Sequence, residues 1–179
     1  MDLYDFLSAN DIACQRFDHC AVYTVEDVNR LIPHLPGAKV KNLFLRDNKG
    51  RRHFLVVVPD HLKVDLKALG LVLGCGRVSM ASAQRLERHL GILPGAVSLL
   101  ALFNDRHAHA VEPVIDQILW NAPFFQFHPL VNTSTLVIPK AGIATFLGAT
   151  GHKALVIPVP GTGHELVLSN PNKPERKRR

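Results

Sequence analysis

Apolar and polar positions alternate along this chain at two periods, and the switches between them mark out its elements. In the stretch Val-Lys-Asn-Leu-Phe-Leu-Arg-Asp, residues 40 to 47, counting by twos puts Lys41, Leu43 and Leu45 on one face. Asn42, Phe44 and Arg46 fall on the other, the pattern of a β-strand. The next run, residues 52 to 59, is unbroken in apolar character from Phe54 to Val58, which predicts a strand covered on both faces. The polar link containing Asn48, Lys49 and Gly50 joins the two as a hairpin.

Helical spacing appears elsewhere. Leu3, Phe6 and Leu7 predict a short first helix, and Thr24 three residues before Asp27 predicts a second over residues 24 to 32. Residues 64 to 74 and 82 to 91 read as helices, the latter with Ser82 as N-cap and Gly91 as terminator. Residues 92 to 105 carry Pro94 and Gly95 early and apolar residues after, which predicts a loop feeding a strand and turning at Asn104 and Asp105. Short strands are expected at 109 to 115, 134 to 139 and 153 to 159, with a helix at 140 to 151. Helices and strands mixed without a regular βαβ rhythm point to an α+β, mixed-sheet domain.

Length changes this picture little: 179 residues suffice for one domain with a sizeable core. A hydrophobic fraction of 47% beside 20% charged residues belongs to an ordinary soluble protein. No apolar run reaches the roughly 18 residues of a membrane span, and Asp2 and Asp5 disfavour a signal peptide, so a cytoplasmic protein with no membrane partner is expected. Cys14, Cys20 and Cys75 suit reduced thiols. The formal charge of +6 is concentrated at the C-terminus, where Lys173, Arg176, Lys177, Arg178 and Arg179 face one acid, Glu175. Residues 161 to 179 are accordingly read as a basic, flexible tail, a solvated terminus or a sequence-independent phosphate contact, and residues 1 to 160 as the domain.

Several familiar chemistries lack their residues. Gly74 and Gly76 stand without the third glycine of a dinucleotide fingerprint, and no phosphate loop or serine elbow occurs. Asp105, His107 and His109 lie close in sequence but without zinc-site spacing, so no metal is assigned. Cys75 between glycines reads as packing. Two residues stand out instead. Lys41 starts a strand on an apolar face, where it either lifts its ammonium to solvent from a buried stem or serves a site. His128, followed by Pro129 and Asn132, occupies a turn between apolar segments.

Four stretches, taken together and in order, carry a resemblance. They are Lys41 to Asp47 with the run from Val56 to Leu69, then residues 90 to 105, then residues 127 to 138, then residues 146 to 152. In them the chain resembles the YbaK and prolyl-tRNA-synthetase editing-domain (INS) superfamily, closest to its free-standing ProXp-ala (PrdX) group. The resemblance implies a curved, largely antiparallel mixed sheet flanked by helices. It also implies a trans-editing deacylase that hydrolyses mischarged tRNA(Pro), foremost alanyl-tRNA(Pro), with no cofactor. Another mischarged tRNA (Ser, Thr or Cys) or a non-catalytic tRNA-binding module are the alternatives. The acceptor end of mischarged tRNA(Pro) is the implied partner, with prolyl-tRNA synthetase or an elongation factor as possible assistants.

Residue by residue, the resemblance makes Lys41 and His128 the catalytic pair, Lys41 touching either the terminal phosphate or the ester carbonyl. It places Asn42, the loop residues Gly95, Ala96, Val97 and Ser98, and Phe127, Pro129 and Asn132 around the substrate. Two departures touch these loops. Leu99 stands where the family loop often has proline, and Gln126 where the histidine loop often has glycine. Leucine adds freedom and bulk, and glutamine adds amide donors.

Overall fold

The computed structural model describes residues 1–21, 35–163 and 168–169. The helix expected at 24 to 32 and most of the tail lie outside the described residues. The N-terminal helix α1 (Leu3–Ala9) is closed by reciprocal bonds between Asp2 and Asp5, and buries Leu3, Phe6 and Leu7 as its spacing requires. Strand β1 (Gln15–Asp18) follows, then the long β2 (Gly37–Asp47) and β3 (His53–Pro59). The β2–β3 turn is held by Asp47, whose carboxylate accepts from the Arg51 and Arg52 N–H groups, while Gly50 takes a positive φ of 66°. Every residue of β3 is buried, as its unbroken apolar run predicts.

After β4 (Lys63–Val64), α2 (Leu66–Val72) is capped by the Asp65 carboxylate on Ala68 N. Strand β5 (Val78–Met80) leads to α3 (Ala83–Leu90), which runs from Ser82, its hydroxyl accepting from Arg85 N, to a left-handed Gly91. The next segment departs from expectation. Instead of a loop feeding a strand, Leu99–Ala101 form a 3-10 turn that continues into α4 (Leu102–Asp105). Leu99, Leu100, Ala101 and Leu102 are wholly buried, so their apolar run has no polar face from which a period could be read. Asn104 and Asp105 end a helix here rather than make a turn: the buried Asp105 carboxylate accepts from Ala110 N, Val111 N and His152 Nε2.

Strand β6 (Val111–Asp116), α5 (Gln117–Trp120), β7 (Phe124–Phe127), β8 (Ser134–Pro139), α6 (Lys140–Ala149) and β9 (Leu155–Ile157) complete the main body. Two short strands, β10 (Gly161–Thr162) and β11 (Leu168–Ser169), pair with β4 and β2, so the chain still adds to sheets past the boundary at residue 160 drawn from composition. The sheet runs β1-β8-β7-β2-β3-β6-β9, with β5 and β11 also on β2. It is mixed. β1–β8, β8–β7, β2–β3, β2–β5 and β2–β11 are antiparallel, whereas β2–β7, β3–β6 and β6–β9 are parallel.

Strand alternation divides the sheet into two faces. Ala38, Phe44, Leu55, Val57, Phe125, Phe127, Leu136 and Ile138 belong to a large core with α1 and α4. The opposite face carries two separate apolar clusters. Leu43 and Leu45 pack with Phe54, Val56, Val58, Leu62 and Leu69, while Leu35, Val137 and Phe17 form a small patch elsewhere.

β2 changes partners along its length. On the edge away from β3 it pairs with β7 at Ala38 and Lys39, then with β5 from Leu45 to Asp47. Ala81 N extends that second contact back to Phe44 O, which leaves Val40 to Leu43 without a laddered neighbour on this edge among the described residues. At the fork's root Gly37, φ +91°, lies so close to β7 that an added Cβ would stand 2.7 Å from Phe124 O. Gly37→Ala is therefore expected to lower stability by more than about 1 kcal/mol, read as a lower urea midpoint at unchanged m-value.

Candidate active site

The short parallel pairing of β2 with β7 ends just ahead of the two sequence-predicted residues, Lys41 on one chain and His128 on the other. The parallel register runs Ala38 to Phe125 and Lys39 to Gln126. The pairing ends there, and the same register continued two residues further would set Lys41 opposite His128. Lys41 lies on the same face as Leu43 and Leu45, as the alternation requires, between the two apolar clusters.

Its ammonium is half-buried and donates to the Leu62 carbonyl at 2.5 Å, a short, charge-assisted bond. The buried-stem reading of Lys41 is thus half right, since the stem is covered but the head is held by protein rather than released to water. Burial pulls the Lys41 ammonium below the ordinary lysine value, and the nearby Asp60 carboxylate opposes that shift. Lys39, on the same face, is lowered in the same way and again opposed by Asp60. Asp60 is fixed by its own N–H donating to Lys39 O at 3.2 Å and by its carboxylate bonding His61 Nδ1 at 3.0 Å. Two half-buried cations and one carboxylate thus share the mouth of the fork.

His128 follows directly on β7. Burial, and secondarily the neighbouring His19, push its imidazole down to about 4, so it is neutral at physiological pH. The rings of His19 and His128 lie 6.2 Å apart. His19 is held by Thr135 Oγ1 at 2.9 Å and Cys20 O at 2.8 Å. Sequence reasoning passed over Lys39, Asp60, His19 and Thr135. Lys39 had a signal, being two residues before Lys41 and so on its face, but the others are joined to the site only by the fold.

The remaining candidates divide. Asn42 points to the opposite face, where its Oδ1 accepts the Leu99 N–H at 3.0 Å and ties β2 to the loop at residues 95 to 98. Gly95 is exposed with φ +91°, and Ala96 and Val97 are half-buried. Ser98 is fully buried, its hydroxyl accepting from Leu100 N at 3.2 Å, so it caps the 3-10 turn rather than facing a ligand. Phe127 is buried in the large core and Pro129 is buried behind His128, both supporting the site from within. Asn132 is half-buried.

The departures from the family pattern also find their places. Leu99 supplies the N–H that grips Asn42, which a proline could not do. Gln126 sits in regular strand conformation, with no call for a positive φ. Asp105 and His109 are not joined as metal ligands. Among the described residues no group of three or more His, Cys, Asp or Glu side chains has metal-binding geometry, and no helix is long and apolar enough to cross a membrane.

Chemically, this arrangement offers positive charge from a poorly solvated mouth, a neutral imidazole and a polar loop tied to the same strand. A cation there exerts a stronger field on an anionic or polarised ligand oxygen than it would in bulk water.

Residues 19–146 match the model of the aminoacyl-tRNA editing domain. The chain is 38% identical over 135 residues to the prolyl-tRNA editing protein ProX of Acetoanaerobium sticklandii, covering 75% of this chain and 82% of that one. It is 34% identical over 158 residues to prolyl-tRNA synthetase associated domain-containing protein 1 of Danio rerio, covering 87% and 85% of the two chains. Its fold matches the crystal structure of hypothetical protein APE2540 with a TM-score of 0.69 at 20% identity, over 88% of this chain and 97% of that one. It also matches a candidate trans-editing enzyme for prolyl tRNA synthetase with a TM-score of 0.59 at 16% identity, over 86% and 92%.

The buried histidines make a prediction about acid. His53, at the start of β3, is held at about 4 by burial, like His128. Between the ordinary value of 6.5 and about 4 the unfolded chain binds protons that the folded chain refuses, so stability rises with pH across this window and falls as pH drops through it. The urea midpoint should be lower at pH 5 than at pH 7, and His128→Gln should shrink that difference.

Proposed function

The chain belongs to the aminoacyl-tRNA editing-domain family and is an aminoacyl-tRNA deacylase; from that premise we propose that it hydrolyses mischarged tRNA(Pro) in trans, with alanyl-tRNA(Pro) as its preferred substrate. The observation that carries this reading is the parallel pairing of β2 with β7, whose register, continued two residues past Lys39 and Gln126, would put Lys41 opposite His128. An aminoacyl ester is already activated, so the site has only to hold it, stabilise the developing oxyanion and place a water.

In this reading the acceptor end enters the fork between β2 and β7. The Lys41 ammonium exchanges the Leu62 carbonyl for the incoming oxygen, that of the terminal phosphate or the ester carbonyl. Water adds to the carbonyl carbon, the bond to the ribose oxygen breaks, and that oxygen takes a proton as the free amino acid leaves. The vicinal ribose hydroxyl activates the water. His128, held at about 4, is too weak a base to drive proton removal at neutral pH, which favours a positioning role through hydrogen bonding. The loop at residues 95 to 97, tied to β2 through Asn42 and Leu99, would border the aminoacyl group.

Alanine is favoured because rejecting proline by clash is easier than gaining affinity for one methyl, whose burial is worth about 1 kcal/mol. Relatives named for prolyl-tRNA editing support tRNA(Pro) as the carrier. Phosphate contacts supply most of the affinity for the tRNA, so binding weakens with salt.

Purified protein is expected to release alanine from alanyl-tRNA(Pro) while sparing prolyl-tRNA(Pro), in a panel that includes seryl, threonyl and cysteinyl esters. Lys41→Ala should lower kcat/KM at least about 100-fold with unchanged circular dichroism. His128→Ala should cost less, about tenfold. Full activity in Lys41→Ala would remove the mechanism, and equal losses in both variants would give His128 a part in the chemistry.

A further inference from the structure

Gln126 is the last β7 residue registered on β2, opposite Lys39. Its neighbours Phe125 and Phe127 face the large core, so its side chain lies on the Lys41 face, where the residue is buried. Its Nε2 stands 2.9 Å from Leu35 O, 3.2 Å from Pro36 O and 3.2 Å from Gly37 O. Three successive carbonyls therefore converge on one amide. Leu35 and Gly37 are themselves buried, so their carbonyls need a donor from protein. At Gly37 the backbone also presses on Phe124, which leaves no room for a side chain to brace the turn from within.

The position of this contact gives it consequence. Strand pairing between β2 and β7 covers only Ala38 and Lys39 on one side and Phe125 and Gln126 on the other. Immediately beyond, this pairing ends, and Lys41 and His128 lie two residues further along their chains. The amide clamp thus sits at the apex of the fork, where a small change in splay is multiplied at the open end.

We propose that Gln126 is a positioning residue for amino-acid selection: its carboxamide welds residues 35 to 37 to β7, and so fixes the spread between Lys41 and His128. This rests on the deacylase reading above. Selection by exclusion needs a wall that does not yield, and a fork with a loose apex would open to a larger aminoacyl group. The clamp works from the face opposite to the bond between Asn42 and Leu99, so β2 is held on both sides of the fork.

Gln126→Met keeps length and volume but removes the donor. Gln126→Glu donates one hydrogen bond when protonated and none when ionised. The first measurement needs no substrate. Amide hydrogen exchange at Lys39 and Val40 should quicken about tenfold in Gln126→Met, the loss of roughly one buried hydrogen bond, while amides in β3 keep their rates. The second compares kcat/KM for alanyl- and prolyl-tRNA(Pro). Their ratio should fall about tenfold in Gln126→Met, mainly through faster prolyl hydrolysis. In Gln126→Glu the ratio, relative to wild type at each pH, should fall as pH rises from 5 to 8. Unchanged exchange overturns the weld, and faster exchange with an unchanged ratio overturns its role in selection. If wild type hydrolyses neither ester, the functional reading fails, and the exchange experiment still judges the clamp. Should Gln126→Met not fold, Gln126→Glu at pH 5 and pH 8 provides the same comparison within one protein.

Discussion

Along one edge of β2 the hydrogen-bonding partner changes, and the site depends on what that change leaves open. β7 supplies the ladder at Ala38 and Lys39, β5 supplies it from Leu45, and Val40 to Leu43 stand between them. A strand paired on both edges along its whole length would have no access to its middle. Here, among the described residues, no strand ladders onto Val40 to Leu43 on this edge, while the other edge is bonded to β3 from Val40 to Arg46. β3 is wholly buried, with Phe54, Leu55, Val56 and Val58 inaccessible to solvent, and each such side chain contributes about 1.5–3 kcal/mol. This stretch of β2 is thus backed by a strand buried at every position.

The electrostatics of the site follow from the same geometry. Lys39, Lys41 and His128 are all partly buried rather than in free solvent. Desolvation lowers all three groups, and the two lysines are partly restored by Asp60. The consequence is a division of labour set by starting values: lysines begin so high that partial burial leaves them charged, whereas a histidine lowered to about 4 loses its charge entirely. A cationic contact and an uncharged hydrogen-bonding ring can therefore work side by side without repelling one another.

The two residues that depart from the family loops turn out to be cross-links. Leu99 contributes a main-chain N–H to Asn42, and Gln126 contributes a carboxamide to three carbonyls ahead of β2. Each stands where a residue with less to offer is common, proline without an N–H and glycine without a side chain. In this chain the strand carrying Lys41 is consequently bonded from both sides of the sheet. The backbone freedom expected from Leu99 is offset by its hydrogen bond to Asn42, and the amide donor expected from Gln126 is taken up by residues 35 to 37.

Local patterns determined a good deal here. The alternation through Lys41, Leu43 and Leu45, the buried run of β3, the hairpin at Gly50, the apolar spacing of α1 and the caps of α3 all depend on neighbours within a few residues, and all were readable. Residues 99 to 105 were not, because a segment buried on every side shows no polar face and its period is hidden. The company of Asp60 with both lysines and of Gln126 with residues 35 to 37 also stayed out of view. The β2–β3 register decides the first, and the parallel pairing of β7 on β2, a contact between strands about ninety residues apart, decides the second. Sequence by itself established which side chains had unusual company; the tertiary register decided what that company was, since pairing between distant strands is chosen by the packing of the whole sheet and not by any local preference.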